Sequence, residues 1–579
     1  MQPTSPTLIG PADLAGLAER LQAAEAIGVD TETTALNPLD GRLRLLSLAL
    51  PEETFLLDLD AIPELGPLRE VFGAPRPIKV FHHAKFDLRW LLHHHGLRVQ
   101  SVFDTMLASQ LLHETDQHGL APVVRHYLRR VLDKQEQRSD WSGALTPAQL
   151  AYAATDAAVL LPLRAALRPR LIDAGLARIA LIEFAVAGVV AEMENTGVLL
   201  DVPAWTRLWQ AAETRFRTVE AELQQELAGT RVQLALMPDL APALNLHSSS
   251  QLKQALSRLG LTLTDTHEAA LQAIAHQHPV VPKILAWRQL QKAVSAYGDG
   301  LLQHVHPKTG RIHAHFQQLF ASTGRFSCSQ PNLQNIPADP DHRACFTAPP
   351  GCKLVVADYS QIELRILAEL SGDAAFRRAF EQELDLHRMT ASEMFWVPYE
   401  AVTPAQRQAA KGINFGLIYG RGANSLAAEL GVTVERAREL IQRYFETYRG
   451  VDAWLKATAH TAIADRELRS LGGRRARFQF DEHDRAAVAA AERAGKNFPI
   501  QATNSDILKQ AMVQLPAALA PLGARLVNCV HDELVVEAPA EAAEATAEAV
   551  RNVMVTAARS FLQATPVRVD TQIGDAWLK

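Results

Sequence analysis

Two aspartates far apart in the chain, Asp358 in V-V-A-D-Y-S-Q-I-E-L-R and Asp532 in N-C-V-H-D-E-L-V-V-E, both stand where strands should end. The apolar run Leu354–Ala357 reads as a buried strand that delivers Asp358, and Ser360 then opens a helix. Leu526–Val530 and Leu534–Glu537 read as the arms of a hairpin with His531, Asp532 and Glu533 at its turn. Two such carboxylates suit a pair of oxygen-seeking cations about 3.5–4 Å apart, which activate an attacking hydroxyl and stabilise a leaving oxygen in phosphoryl transfer. Taken singly, each aspartate could equally be a cap or turn residue.

The segment between them changes that balance. In T-P-A-Q-R-Q-A-A-K-G-I-N-F-G-L-I-Y-G, Thr403 is an N-cap, Pro404 fits the first helical position and Gln406 completes a capping box. Arg407, Lys411, Phe415 and Tyr419 recur every four residues, forming one slowly drifting stripe, and Gly420 is placed to end the helix. Cations and rings in line suit a nucleoside triphosphate, with charge for the phosphates and a ring for sugar and base. The competing reading is a surface helix whose aromatic end packs into a core.

A second acidic set lies in the first third of the chain. The strand I-G-V-D-T-E-T-T puts Asp30 and Glu32 on one face, and Asp87 follows in F-H-H-A-K-F-D-L. A capping box at Thr146 and Gln149 starts a helix on which Tyr152 and Asp156 share a face. Four acidic ligands and a phenol to orient water again fit two metals acting on a phosphodiester. The run His93, His94, His95 points in different directions on a helix and does not read as a metal site.

Composition adds bounds. A chain of 579 residues exceeds one domain, and 48% hydrophobic residues can build large cores. The net charge of −6 leaves nucleic-acid contact to local basic patches such as Arg474, Arg475 and Arg477. Four cysteines show neither metal spacing nor a disulfide framework, which points to a reducing interior. No leader, no apolar run long enough to cross a bilayer and no internal repeat is evident, so the expectation is a cytoplasmic protein, with an organelle not excluded.

These motifs, in this order, resemble the family A DNA polymerases of the bacterial DNA polymerase I type. N-L-H-S-S-S-Q-L from Asn245, S-T-G-R-F-S from Ser322, P-N-L-Q-N-I-P from Pro331 and R-A-G-K-N-F-P-I-Q-A-T from Arg493 extend the similarity over nearly the whole chain. The resemblance implies an α/β and α+β multidomain fold. An RNase H-like 3′–5′ exonuclease of the DEDD-tyrosine type, residues 1–190, would precede a right-hand polymerase, residues 191–579. Its thumb is expected at about 200–320 with turns at Pro242 and Pro282 and a cationic face of Lys283, Arg288 and Lys292. Its palm is expected at about 321–380 and 500–579, and its fingers at about 381–499. Little chain precedes Asp30, so no 5′ nuclease domain is expected.

The resemblance also assigns roles. Asp358, Asp532 and the main-chain carbonyl of Tyr359 would hold Mg²⁺, two ions per centre and replaceable by Mn²⁺, with Glu533 assisting. Asp30, Glu32, Asp87 and Asp156 would do the same for the exonuclease, with Tyr152 positioning water. Arg407, Lys411, Phe415, Tyr419, His387, Glu363 and Gln361 would surround a dNTP. Lys411 would protonate the pyrophosphate leaving group, and Glu363, bonded to Tyr419, would exclude a ribose 2′-hydroxyl. Ser360 and Glu363 also read as a capping box. Phenylalanine at 415 implies discrimination against dideoxynucleotides. Arg325, Asn332, Asn335, Arg493, Asn497, Gln501 and His531 would touch primer-template DNA. His83 stands where asparagine is usual, and Cys529 where glutamine is usual. The expected partners are DNA and dNTPs, with a monomeric protein and no membrane. A single-subunit RNA polymerase, or a nuclease with an inert polymerase region, is disfavoured by Glu363, the editing motifs and the complete acid and cation set.

Overall fold

The computed structural model describes residues 6–227 and 244–578, so the turn expected at Pro242 lies outside them. Its first unit is built on a six-stranded mixed sheet: β1 (Thr7–Leu8), β2 (Ala26–Thr33), β3 (Leu43–Ala49), β4 (Thr54–Asp58), β5 (Ile78–Phe81) and β6 (Val102–Asp104), in the order β1-β4-β3-β2-β5-β6. β3, L-R-L-L-S-L-A, is buried on both faces because helices cover the sheet. The Pro147–Ala158 helix lies directly on β2. Gly28 makes this approach possible, since a Cβ there would meet the Ala157 carbonyl oxygen at 2.5 Å.

One expectation fails here. By length and composition alone the stretch Pro147–Asp173 is apolar enough to cross a membrane, its most apolar 18-residue window having a mean hydropathy of 1.3. In the fold it is two helices, Pro147–Ala158 and Leu160–Asp173, whose apolar faces meet β2 and β5.

The second unit centres on a four-stranded antiparallel sheet of β7 (Cys352–Tyr359), β8 (Arg525–Val530), β9 (Glu533–Pro539) and β10 (Val569–Gly574), ordered β8-β9-β7-β10. The Arg485–Leu519 and Ala543–Arg559 helices pack together beneath it. The helix Leu386–Phe395 packs against Pro404–Ile418 and Val434–Thr447, and Arg449–Ala464 joins this group to the Arg485–Leu519 helix. Val202–Glu226 pairs with Val280–Tyr297 around a core of its own that includes Leu223, Leu252 and Trp287. Pro282 is not a turn: it sits in the first turn of that second helix, where a missing N–H costs nothing. The cationic face expected there is largely braced internally. Lys283 pairs with Glu222 and Glu226, Arg288 bonds Thr266, and Lys292 remains exposed.

The helix Ala177–Thr196 joins the two units, packing against Ala84–His95 on one side and Arg485–Leu519 on the other. Its Glu183 is fully buried and accepts bonds from Arg474 and from Lys509 Nζ at 2.7 Å. Arg474 Nε donates to Asp506 Oδ1 at 2.7 Å, and Ser470 Oγ donates to Asp506 Oδ2 at 2.6 Å. Two cations and two anions therefore neutralise one another out of water. This overturns the expectation of a DNA-facing patch at Arg474 and Arg475. Arg474 is buried in this network, Arg475 is buried with its guanidinium on the Leu112 carbonyl at 2.9 Å, and Arg477 alone stays half exposed. Arg474→Ala should destabilise the protein by about 3–5 kcal/mol, because it strands buried carboxylates. Lys456→Ala, at an exposed helix pair, should change stability by less than about 0.5 kcal/mol. Urea unfolding of both variants checks this, and equal midpoints would refute the account.

Candidate active sites

Strand register builds the first centre. Asp358 on β7 lies opposite Glu533 on β9, and the Tyr359 N–H donates to the Asp532 carbonyl at 3.4 Å. Asp358 and Asp532 therefore leave neighbouring strand ends whose backbones are roughly 4.5–5.5 Å apart. The hairpin turn is closed by His531 in the left-handed conformation, φ 57°. Glu533 points elsewhere: its carboxylate takes the Trp577 indole N–H at 2.6 Å and Arg343 Nη1 at 3.2 Å, and Arg343 stacks on the Trp577 ring. What it contributes to the centre is a braced turn. The Tyr359 phenol is also turned away and donates to the Met554 carbonyl at 2.8 Å.

The capping box expected at Ser360 and Glu363 does not form. The helix begins at Ile362 behind Gln361, which adopts a left-handed backbone and makes no side-chain cap. Glu363 is thereby released to accept hydrogen bonds from the Tyr419 hydroxyl and the Arg325 guanidinium. Arg325, expected at DNA, reaches this carboxylate first.

The Pro404–Ile418 helix starts with the expected reciprocal box: the Gln406 N–H donates to Thr403 Oγ1 at 3.2 Å, and the Thr403 N–H donates to Gln406 Oε1 at 2.9 Å. It ends at Tyr419, with Gly420 taking φ 75°. Arg407 Nε meets Asp385 Oδ2 at 2.5 Å, whereas Lys411 is exposed with no carboxylate within 4.0 Å among the described residues. Phe415 lies 6.2 Å from Tyr419, nearly parallel, and 5.7 Å from His387. His387 is buried, which pushes its imidazole down to about 4, and Asn414 Nδ2 sits 3.0 Å from its Nδ1. It therefore meets a ligand as a neutral ring. Asn414 went unnoticed in the sequence because it lies off the stripe.

On the Arg485–Leu519 helix, Arg493, Asn497 and Gln501 are spaced by four. Asn497 and Gln501 line an open cleft of about 600 Å³ with Ser322, Thr323 and Arg477. Asn332 caps a short turn by accepting from the Gln334 N–H at 3.0 Å, a turn that ends at Asn335.

The second centre gathers Asp30 and Glu32 from β2, Asp87 from the Ala84–His95 helix and Tyr152 with Asp156 from the Pro147–Ala158 helix. Thr31 Oγ1 fixes Asp87 with a 2.6 Å bond. Burial and then the mutual charge of Glu32, Asp87 and Asp156 hold the Asp30 carboxyl well above its usual range. Burial and then Asp156 push Glu32 up to about 8, and burial takes Asp87 to about 7. The Tyr152 phenol is pushed up by burial and by Asp156, so it keeps its proton. Such crowding is what a divalent cation relieves. The donor set fits one: every ligand is a hard oxygen, and Asp156 Oδ1 is buried without a hydrogen-bond partner. The acids are gathered but not closed into a cage, since among the described residues no three acidic, histidine or cysteine side chains already converge on one point.

Two residues here carried no sequence signal strong enough to single them out. Asp104 caps the helix after β6 and also accepts from the N–H groups of His83 at 3.1 Å and Ala84 at 2.7 Å, which fixes the loop before Asp87. Lys134, in the polar run D-K-Q-E-Q-R-S-D-W, reaches Asp156. His83, pushed down to about 4 by burial, faces a cleft of about 470 Å³ between the units with His113, His118 and His315.

Comparison with known proteins gives a family for each unit. A profile described as DNA polymerase family A matches residues 213–579, and one described as 3′-5′ exonuclease matches residues 10–172. The chain belongs to DNA polymerase family A. Among family A relatives it is 34% identical to DNA polymerase I of Aquifex aeolicus, covering 97% of both chains. It is 36% identical to DNA polymerase I of Pseudomonas aeruginosa over 96% of this chain and 64% of that one. It is 41% identical to the thermostable DNA polymerase I of Thermus aquaticus over 69% of this chain and 48% of that one. This chain thus spans about half to two thirds of the length of those last two relatives. The solved structure of the POL domain of Pol1 from M. smegmatis, in complex with DNA primer-template and dNTP, superposes with TM-score 0.86 at 29% identity over 99% of both chains. Family A polymerase and exonuclease domains generally use divalent metals.

The raised carboxyls have a measurable consequence. Glu32 and Asp87 keep protons in the folded chain up to about 8 and about 7, against ordinary values of 4.5 and 3.8. Across that window the folded state binds more protons than the unfolded one, so metal-free stability falls as pH rises. In EDTA the melting midpoint should drop between pH 5 and pH 8, divalent cation should restore it, and Glu32→Gln should flatten the slope. A midpoint that climbed with pH would contradict the crowding.

Proposed function

We propose that this protein copies DNA, joining dNTPs to a primer 3′ hydroxyl at the Asp358 and Asp532 centre, and removes mispaired 3′ ends at the Asp30, Glu32, Asp87 and Asp156 centre. The observation that carries the reading is the closed contact of Glu363 with Tyr419 and Arg325 beside the Phe415 ring, near enough to the strand-end Asp532 for its charge to act on Tyr419. A nucleotide seated against Phe415 would find the Glu363 carboxylate where a 2′-hydroxyl would otherwise go. The M. smegmatis complex, solved with primer-template and dNTP, supports the same substrates.

The residues fit two Mg²⁺ per centre, held by Asp358, Asp532 and the Tyr359 carbonyl in one and by the four acids in the other, with Mn²⁺ able to replace them. Bound there, the ions would activate the attacking oxygen and offset charge on the phosphate. The protein does the rest. Lys411, exposed and with no carboxylate within 4.0 Å among the described residues, is available to the triphosphate and can return a proton to departing pyrophosphate. Arg407 supplies a second cation, and neutral His387 a hydrogen bond. Arg493, Asn497, Gln501 and His531, with Arg325, Asn332 and Asn335, would contact the primer-template duplex. In the editing centre the protonated Tyr152 orients water. We assign residues up to about 190 to editing and the remainder to synthesis, in a monomer, with the thumb at about 200–320 and the fingers at about 381–499.

Asp532→Ala should lower primer extension on the order of 10³-fold while leaving degradation of a mismatched 3′ end intact, and Asp30→Ala should do the reverse. Loss of both activities in either variant would break the two-centre reading. Within the synthetic site, Glu363→Ala should raise ribonucleotide use and Phe415→Tyr should relax selection against dideoxynucleotides. Both appear as incorporation ratios in single-nucleotide extension, and ratios unchanged in folded variants would remove these roles.

A further inference from the structure

Lys134 lies in no part of the mechanism above, yet it stands inside the editing centre. It opens the short turn Gln135–Arg138, and its ammonium meets Asp156 Oδ2 at 2.5 Å and the Tyr152 hydroxyl at 3.3 Å. It also lies 4.9 Å from the centre of the Tyr152 ring. The side chain is 21% exposed, so it reaches in from the rim and has somewhere to go. Its positive charge also acts on Asp30 and Glu32. The other Asp156 oxygen is buried with no hydrogen-bond partner, which leaves that carboxylate half satisfied.

We propose that Lys134 is the resident counter-cation of the editing centre, a positioning residue that holds Asp156 and Tyr152 in place and must withdraw before a divalent ion can take Asp156. One ammonium cannot neutralise four acids, so it stabilises the empty centre only in part. A doubly charged ion that binds several carboxylates at once outcompetes it, and the open acid arrangement then closes around that ion. Lysine suits the task better than arginine would: it is a point charge on a flexible stem, with no planar fork to lock both carboxylate oxygens.

This inference rests on the editing assignment, and the test separates the two. Mn²⁺ binding is followed by electron paramagnetic resonance in the full chain carrying Asp358→Asn and Asp532→Asn, so that the synthetic centre does not contribute. Adding Asp30→Ala should abolish the remaining binding; if it does not, the editing assignment itself fails. Given that loss, Lys134→Met should bind the first ion roughly tenfold more tightly, within the range that neighbours of a metal ligand contribute. Lys134→Arg, which keeps the charge and adds the locking fork, should bind it no more tightly than the parent. In EDTA, Lys134→Met should melt earlier than Lys134→Arg, and the order should disappear when Mn²⁺ is added. Unchanged or weakened affinity in Lys134→Met would overturn the proposal. Should that variant fail to fold, Lys134→Gln is judged by the same affinity criterion.

Discussion

Carboxylates that share a cation repel one another, and they stay side by side only when the backbone beneath them is held by something else. Both centres obey that constraint, by different means. In the synthetic centre the antiparallel ladder supplies the force: Asp358 and Asp532 sit on strand ends whose register is set by seven cross-strand pairs between β7 and β9. The braced side chain of Glu533 then keeps the turn from opening. In the editing centre no single sheet edge could gather four acids. One strand and two helices converge instead, and the residual repulsion appears as carboxyls that resist ionising.

The two centres lie in units that the chain must hold together. The Ala177–Thr196 helix does so with charge at both ends. Glu183 engages Arg474 and Lys509 of the synthetic unit. Near the other end Glu194 takes Lys85 Nζ at 2.6 Å and the Phe316 N–H at 2.7 Å. Lys85 is two residues from Asp87, so the strut is anchored almost inside the editing centre. A buried ionic joint costs desolvation and tolerates no loss of a partner, but it has few alternative geometries, which suits a spacer.

Much of this was legible in the residues. The capping boxes at Thr146 and Thr403, the strand-end aspartates, the helical stripe and the left-handed Gly420 are local devices whose chemistry is written in short windows. What was not legible depended on packing between distant segments. Arg474 looked like a surface cation because three arginines cluster in four residues, and nothing local reveals the acids of two other helices that bury it. Ser360 and Glu363 matched a capping box by spacing, yet the left-handed Gln361 shifts the helix start and frees Glu363 for Tyr419. Lys134 was invisible for the same reason: a lone lysine in a polar loop acquires meaning only when the loop is folded back over Asp156.

The bare α-carbon of Gly28 carries more than a tight packing contact. The Pro147–Ala158 helix can bring Tyr152 and Asp156 to β2 only because nothing projects from that position toward Ala157. A methyl group there would push the editing acids apart while every polymerising residue stayed where it was. The geometry of that whole centre hangs on the absence of one carbon atom, at a position with no chemistry of its own.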